Sequence, residues 1–588
     1  MNYATVYHRP ESEFAYIEDK QIVLRVRIGK GQVENVNCIW GDPYDFEKKN
    51  GKNLWQFQSA SMTIVATTEY FDYWEVKLRP LNSRIQYLFQ LINSKENILY
   101  GDSGFNENSN ENIQNLGLYF KLPYLHEIDA QNSPTWIGKT VWYQIFPERF
   151  ANGDKNNDPI NVLPWNFKTK PTPNSFFGGD LQGIIDHLDY LKKLGINGIY
   201  LCPIFKSTSN HKYNTMDYFQ IDPNFGNKEK FHQLVNEAHK RDIRIMLDAV
   251  FNHIGSDSVQ WQDVLKRNSQ SRYFDWFYIH QLNTDNMREI QNEFKVGKKV
   301  PYDAFGYSAF MPKLNTENPE VEKYLLDVAK YWIKEFDIDG WRLDVANEVD
   351  HHFWRQFAEM CHQLKPDFYI LGEVWNSARS WLQGDQFSGV MNYAFTSLIK
   401  EGLIEKKYSG KQFLEKLSEQ EMQYSDPVNR SMMNILDSHD TTRLLNDCKN
   451  DKDLERMVLA FTFVQRGTPC IYYGDEIGMT GEEDPDNRKC MNWNENTQDR
   501  KMLKFVTDLI KFRKLNFQYF TSGKRKSQIQ KDLIKLNFEL KKGQLIAYFN
   551  NTNEVKKIYL KMTDKILLCQ NYGQKELKKN GFVMIRRS

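Results

Sequence analysis

GWRLDVANE (Gly340 to Glu348) is an apolar run that ends on a carboxylate, and LGEVW (Leu371 to Trp375) and LDSHD (Leu436 to Asp440) repeat the pattern further on. A short apolar run followed by polar residues reads as a buried strand running into a loop. Asp344, Glu373 and Asp440 therefore each stand at the loop end of an expected strand. The carboxyl ends of strands are where α/β barrels carry their catalytic groups.

The text around these stretches has the rhythm of such a barrel. Beyond residue 140, strand-like runs at 141–146, 198–201, 243–250, 340–345, 368–373, 390–393, 433–437 and 470–473 alternate with amphipathic segments such as 181–194, 231–240, 321–336, 353–364 and 454–465. Eight strands alternating with helices predict an α/β fold of the (β/α)8 TIM-barrel type. The stretch 254–315 is too long for an ordinary connection and is expected to be an inserted subdomain. Before the barrel, alternation in Ile22-Val23-Leu24-Arg25-Val26-Arg27-Ile28 and in Tyr73-Trp74-Glu75-Val76-Lys77-Leu78 predicts an N-terminal β-sandwich. After it, short alternating pieces predict a C-terminal antiparallel β-domain. The expected organisation is 1–125, 126–515 and 516–588.

The 588 residues carry 77 Lys plus Arg against 76 Asp plus Glu, so a formal charge of +1 gives no electrostatic reason to expect nucleic acid or an anionic membrane. A neutral partner fits better. Aromatic residues make up 14% of the chain, enough to supply flat faces for sugar rings as well as packing. The first nineteen residues contain charges and no signal-like apolar run, and no window approaches a membrane span of about 20 apolar residues, so a soluble, cytoplasmic protein is expected. Seven scattered cysteines show neither paired spacing nor a zinc pattern, which predicts reduced thiols.

Convergent acids suggest glycoside hydrolysis. A retaining enzyme needs one ionised carboxylate to attack the anomeric carbon and one protonated carboxyl, roughly 5 Å away, to release the leaving oxygen. Arg342 lies two residues before Asp344, on the same side of the expected strand, and is expected to keep Asp344 ionised as the nucleophile. Glu373 is then the acid and base, kept protonated until it acts by burial and neighbouring charge. Asp440 is the third acid, expected to grip sugar hydroxyls as the ring distorts. Asp248, Asn252 and His253 end another strand at the same rim. A single Asp or His at a strand end is most simply a cap; three acids on three strands would require that accident to repeat.

DAVFNH (Asp248 to His253), GWRLD, GEVW and SHD together resemble the ordered regions of the α-amylase superfamily, glycoside hydrolase family 13. MPKLN (Met311 to Asn315), VANEVDH (Val345 to His351) and the N-terminal β-domain resemble the cyclomaltodextrinase, neopullulanase and maltogenic amylase subgroup. The resemblance implies Asp344 as nucleophile, Glu373 as acid and base and Asp440 as transition-state stabiliser. It implies substrate contacts from His253, Arg342, His439, Asp484 and Arg488, with Tyr213 and Trp375 stacking on sugar rings. Expected substrates are neutral α-glucans: cyclomaltodextrins, pullulan and maltodextrins, cut at α-1,4 links with some α-1,6 cleavage and transglycosylation, releasing maltose or panose. A homodimer through the N-terminal domain is expected, without nucleic-acid or membrane partners. Asn376 stands where several members carry His, which bears on acceptor preference. The alternatives are an exo-acting oligo-α-1,6-glucosidase of the same superfamily and a catalytically silent barrel that binds a partner.

Asn152-Gly153-Asp154-Lys155-Asn156-Asn157-Asp158 gathers oxygen ligands in one turn, and Gly178-Gly179-Asp180 follows. Ca2+ takes six to eight oxygens; the plain reading is a polar loop. The resemblance implies a structural Ca2+ held by Asn152, Asp154, Asn157, Asp158, the Gly178 carbonyl and Asp180.

Overall fold

The computed structural model describes residues 1–131, 133–280 and 300–587. Eight parallel strands form the central sheet: β1 (Trp142–Ile145), β2 (Gly198–Leu201), β3 (Arg244–Ala249), β4 (Gly340–Leu343), β5 (Tyr369–Gly372), β6 (Gly389–Val390), β7 (Met433–Asn434) and β8 (Thr468–Tyr472). Their order is β6-β5-β4-β3-β2-β1-β8-β7, and a parallel bridge between Met391 and Met433 joins the ends, so the sheet closes into a barrel. The strands are buried on both faces, which is why they read as apolar runs without alternation.

Helices wrap the barrel with the spacing that the sequence carries. The helix Pro319–Phe336 starts with Asn318 as cap and Pro319 in the first turn, and buries Val321, Leu325, Val328, Ala329, Trp332, Ile333 and Phe336 along one stripe. The helix Arg500–Thr521 runs across the domain boundary expected at 515. β6 and β7 are only two residues each, shorter than the runs expected at 390–393 and 433–437. Part of the expected insertion, residues 281–299, lies outside the described residues. The described part contains the helix Val259–Arg267 and returns through MPKLN, where Lys313 bridges His253 and the Leu314 N–H donates to the Asn252 carbonyl over 3.0 Å.

Two antiparallel sheets precede the barrel. Ile22, Leu24, Val26 and Ile28 of the strand Gln21–Gly29 face Tyr87, Phe89 and Leu91 of the strand Gln86–Ile92 in one apolar core. Arg25, on the opposite face, reaches the barrel: its guanidinium meets Asp426 at 2.7 Å. After the barrel comes an antiparallel sheet that packs Leu536, Phe538, Leu545, Ala547, Phe549, Phe582 and Met584 into the main core. A cleft of about 960 Å3 opens where the strand Thr63–Thr67, the helix Gly410–Glu421 and the strand Lys524–Gln530 meet. None of the three acids lines it. No helix among the described residues is long and apolar enough to cross a membrane.

Candidate active site

Barrel register brings the acids together. Asp248 on β3 pairs directly with Arg342 on β4, and Leu343 at the end of β4 pairs with Gly372 at the end of β5. Asp344 and Glu373 are the next residues on neighbouring strands, so both carboxyls emerge at one level of the rim. Gly372 has no room for a side chain: a Cβ there would lie 2.5 Å from the Phe387 ring. The backbone therefore sits close enough to Phe387 to hold Glu373 at the mouth.

Arg342, fully buried, is the hub. Its Nη1 donates to Asp248 at 2.9 and 3.0 Å and to Asp344 at 2.7 Å, and Nη2 lies 2.8 Å from Glu373 Oε2. Glu373 also accepts from the Val345 backbone N–H at 2.9 Å and from the Trp375 indole at 3.1 Å. Val345 has φ 47 and ψ 41, a left-handed conformation that a β-branched residue rarely adopts, and it adopts it directly after Asp344. That strain turns its N–H toward Glu373 and is held in place by the carboxylate it meets.

A second chain of contacts runs across the barrel mouth. Tyr200 and Tyr213 donate to Asp248 at 2.6 and 2.9 Å, and Tyr213 Oη lies 2.6 Å from His439 Nε2. The Gln144 amide meets His439 Nδ1 at 2.7 Å. Since the amide nitrogen can only donate, Nδ1 accepts and the proton sits on Nε2. Burial, with Arg488 and Arg342 nearby, pushes the imidazole well below its usual range, so His439 is neutral. Asp440 lies 3.2 Å from His439 Nε2 and 3.4 Å from Arg488, which also pairs with Asp484 at 3.0 Å.

The electrostatics depart from the expectation built on Arg342 alone. The Asp344 carboxyl is raised well above the usual range: burial pushes it up, Glu373 and Asp248 add to the push, and Arg342 opposes without prevailing. Asp248 is pushed up to about 6, again by burial with Arg342 opposing, and Asp440 is raised by burial against the pull of Arg488 and Arg342. One guanidinium facing several buried carboxyls cannot balance all their charges, so Asp344 and Asp248 are both raised despite Arg342.

All ten residues assigned to chemistry or substrate from sequence lie in or beside this network. His253 is fully buried under Phe305, with ring centroids 5.0 Å apart, and its Nε2 meets the Tyr213 carbonyl at 3.1 Å. Trp375 is 48% exposed and stacks on Tyr393 at 3.9 Å, which leaves one indole face toward solvent. The Tyr213 ring lies parallel to that of His439, its hydroxyl already engaged. Sequence reading passed over Tyr200, Gln144 and the conformation of Val345. The first two looked like strand interior, and only the need to satisfy a buried hydroxyl or amide could have drawn attention to them.

The residues read as cation ligands gather elsewhere, between β1 and the helix Leu181–Asp186. Asp158 accepts from the Asn152 amide at 2.6 Å, and Asp180 accepts from the backbone of Gly153, Asp154 and Gly183 at 3.1, 2.8 and 2.6 Å. Asn157 donates to Asp180 at 3.1 Å, while Asp154 turns to the Asn156 N–H at 3.0 Å. Gly178 takes φ 80, and a Cβ there would stand 2.3 Å from Asp158 Oδ1. The carbonyl-type oxygens Oδ1 of Asn152 and Asn157 are buried without a hydrogen-bond partner. Among the described residues no group of three His, Cys, Asp or Glu side chains forms a cation site by itself. Amide and backbone oxygens beside the carboxylates are the mixed set that suits a hard cation, and the two orphaned oxygens fit it.

Comparison with known proteins agrees with the architecture. Residues 144–527 match the family described as alpha amylase, catalytic domain, and residues 1–126 match alpha amylase, N-terminal ig-like domain. The chain is 48% identical over 567 residues to an intracellular maltogenic amylase of Bacillus subtilis (strain 168), covering 95% of this chain and 93% of that one. It is 41% identical over 514 residues to neopullulanase 2 of Thermoactinomyces vulgaris, covering 86% and 84%. A solved cyclomaltodextrinase structure aligns over 100% of both chains with a TM-score of 0.89 and 40% identity.

Proposed function

The chain belongs to the α-amylase family of glycoside hydrolases, in its maltogenic amylase, cyclomaltodextrinase and neopullulanase group, and from that premise we propose that it opens cyclomaltodextrins and cleaves α-1,4 bonds, with some α-1,6 bonds, in pullulan and maltodextrins. Maltose or panose is released, with transfer to sugar acceptors alongside hydrolysis. The observation that carries the mechanism is that Asp344 and Glu373 meet the two terminal nitrogens of one guanidinium, at 2.7 and 2.8 Å. Carboxyls held that way are a few ångströms apart, which suits the roughly 5 Å of retaining enzymes better than the roughly 6.5–9.5 Å of inverting ones.

Asp344 attacks the anomeric carbon as the glycosidic C–O bond breaks, and Glu373 gives its proton to the departing oxygen. Water or a sugar hydroxyl then loses a proton to Glu373 and displaces Asp344, restoring both groups with net retention. Asp440 binds ring hydroxyls and tightens on the flattened, oxocarbenium-like ring. His253, His439, Arg488 and Asp484 line the same pocket, Tyr213 forms its floor, and the open face of Trp375 takes an acceptor-side ring. Product analysis on cyclomaltodextrin, pullulan and starch tests the reading. Rapid cyclomaltodextrin opening and panose from pullulan support it; glucose alone from α-1,6 ends would assign an exo-glucosidase instead.

A Ca2+ ion held by Asn152, Asp154, Asn157, Asp158, Asp180 and the Gly178 carbonyl would brace the loop after β1; the reaction itself needs no metal. A homodimer through the N-terminal domain is supported by its exposed Tyr44, Phe46, Phe57 and Tyr70. Light scattering that returns a monomer mass at working concentration would count against it. A cytoplasmic location is supported by the Bacillus subtilis relative being named intracellular.

A further inference from the structure

The segment that follows β8 closes over the loop carrying Asp440, and one side chain makes the closure. Asn487 is fully buried. Its amide nitrogen donates toward three carbonyls of that loop, His439 at 2.8 Å, Thr441 at 2.9 Å and Ser438 at 3.2 Å. The opposite amide orientation would set an oxygen against three carbonyl oxygens, so the nitrogen must face the loop. Asn487 Oδ1 is left buried without a hydrogen-bond partner. Folded proteins seldom keep such an orphan, and where they do the position has a use that outweighs it.

The backbone of Asn487 is itself anchored. Arg443, at the far end of the Asp440 loop, donates through Nε to the Asn487 carbonyl at 2.9 Å, and through Nη1 to the Tyr473 carbonyl at 2.8 Å. Asp475 pairs with the same nitrogen at 3.0 Å, and the guanidinium lies 4.3 Å from the Tyr472 ring. Within the loop the bonds are internal: Asp440 N–H to Ser438 Oγ at 3.1 Å and Ser438 N–H to Thr441 Oγ1 at 3.0 Å. Internal bonds shape the loop but do not set its height above the barrel. That height comes from Asn487, from Arg488 Nε on the His439 carbonyl at 2.8 Å, and from Gln144 on the His439 ring.

We propose that Asn487 is a positioning residue for the reaction: its amide clasps residues 438–441 and fixes where the Asp440 carboxylate stands over the reacting sugar ring. The inference rests on the reading of Asp440 as transition-state stabiliser. A carboxylate that grips the flattened ring must be placed closely, and a displacement of about 1 Å costs on the order of a hundredfold in rate. Ground-state binding, spread over many contacts, is affected much less.

The test measures kcat and KM on maltotriose for Asn487→Ala and Asn487→Ser, with Asp440→Asn as reference and melting temperature recorded for each. Asn487→Ala is expected to lower kcat about 10- to 100-fold with KM within threefold of the parent. Asn487→Ser keeps one donor and is expected to lose less; it decides on the same criteria if the alanine protein does not fold. In the Asp440→Asn background Asn487→Ala should add less than a twofold loss, because both changes remove the same interaction. A kcat within twofold of the parent for Asn487→Ala, beside a strongly impaired but measurable Asp440→Asn, overturns the positioning role alone. So does a full additive loss in the double variant. An active Asp440→Asn overturns the reading beneath it.

Discussion

Arg342 Nη1 lies 2.7 Å from the carboxylate of Asp344, two residues further along the same chain, and both side chains are buried. The planar fork of the guanidinium lets the same group meet Asp248 and Glu373. Arg342→Lys keeps the charge but offers a single point donor that cannot span three carboxyls. Its kcat/KM is expected to fall at least about 100-fold with circular dichroism unchanged; a loss below threefold would show that the fork is dispensable.

Asp248 gives a pH signature. Its carboxyl is raised to about 6, mainly by burial, so the folded protein holds this proton more tightly than the unfolded chain does. Such a group contributes stability that is fully present below the unfolded value of about 3.9 and is lost as pH rises through about 6. Asp248→Asn is therefore expected to gain on the parent by roughly 2–3 kcal/mol in unfolding free energy between pH 4 and pH 7, while losing activity throughout. Urea denaturation at several pH values measures the gap; a gap that stays flat across that window contradicts the assignment.

Asp426 ties the N-terminal sheets to the barrel, with Arg25 and Arg466 each 2.7 Å from its Oδ1. Burial works against its charge, yet the two arginines hold the carboxyl far below the usual range. Asp426→Ala takes the carboxylate from Arg466 and leaves Arg25 with Glu75 alone, and is expected to cost about 3–5 kcal/mol in chemical denaturation at neutral pH. Because the folded value is depressed, the contribution is present above about 3.9 and fades as pH falls below it. A loss under 1 kcal/mol at neutral pH would show that the link is unimportant.

Calcium should act on stability and leave the chemistry alone. Added to chelator-stripped protein at about 100 times its dissociation constant, it is expected to contribute about 2.7 kcal/mol to the folded state. Calorimetry would show this as a higher melting temperature, and Asp180→Asn should abolish the shift. An unchanged melting temperature at saturating calcium removes the metal from the loop after β1.

The barrel and two of its acids were legible because the strands are largely apolar and Asp344 and Glu373 directly follow β4 and β5, whereas Asp440 stands beyond a short loop after the end of β7 at Asn434. The short strands β6 and β7 were overdrawn, since apolar residues continue past the point where pairing stops: Tyr393 already opens a helix, and residues 435–437 lie beyond β7. What sequence could not carry is contact between distant segments. Arg25 and Asp426 are 401 residues apart, and Asn487 and His439 are 48 apart, with no periodicity to link them. The raised Asp344 carboxyl was missed for a related reason: the nearby cation was visible in the chain, but the depth of burial that outweighs it depends on the closed barrel.

The most direct measurement is to incubate Glu373→Gln with α-maltosyl fluoride, whose leaving group needs no proton, and map the peptides by mass spectrometry. Without a base to activate water, a maltosyl ester should accumulate on the peptide containing Asp344, and it should disappear in Asp344→Asn. Turnover at the parent rate with no adduct, or an adduct on another residue, would contradict the pairing of Asp344 and Glu373 as nucleophile and acid-base.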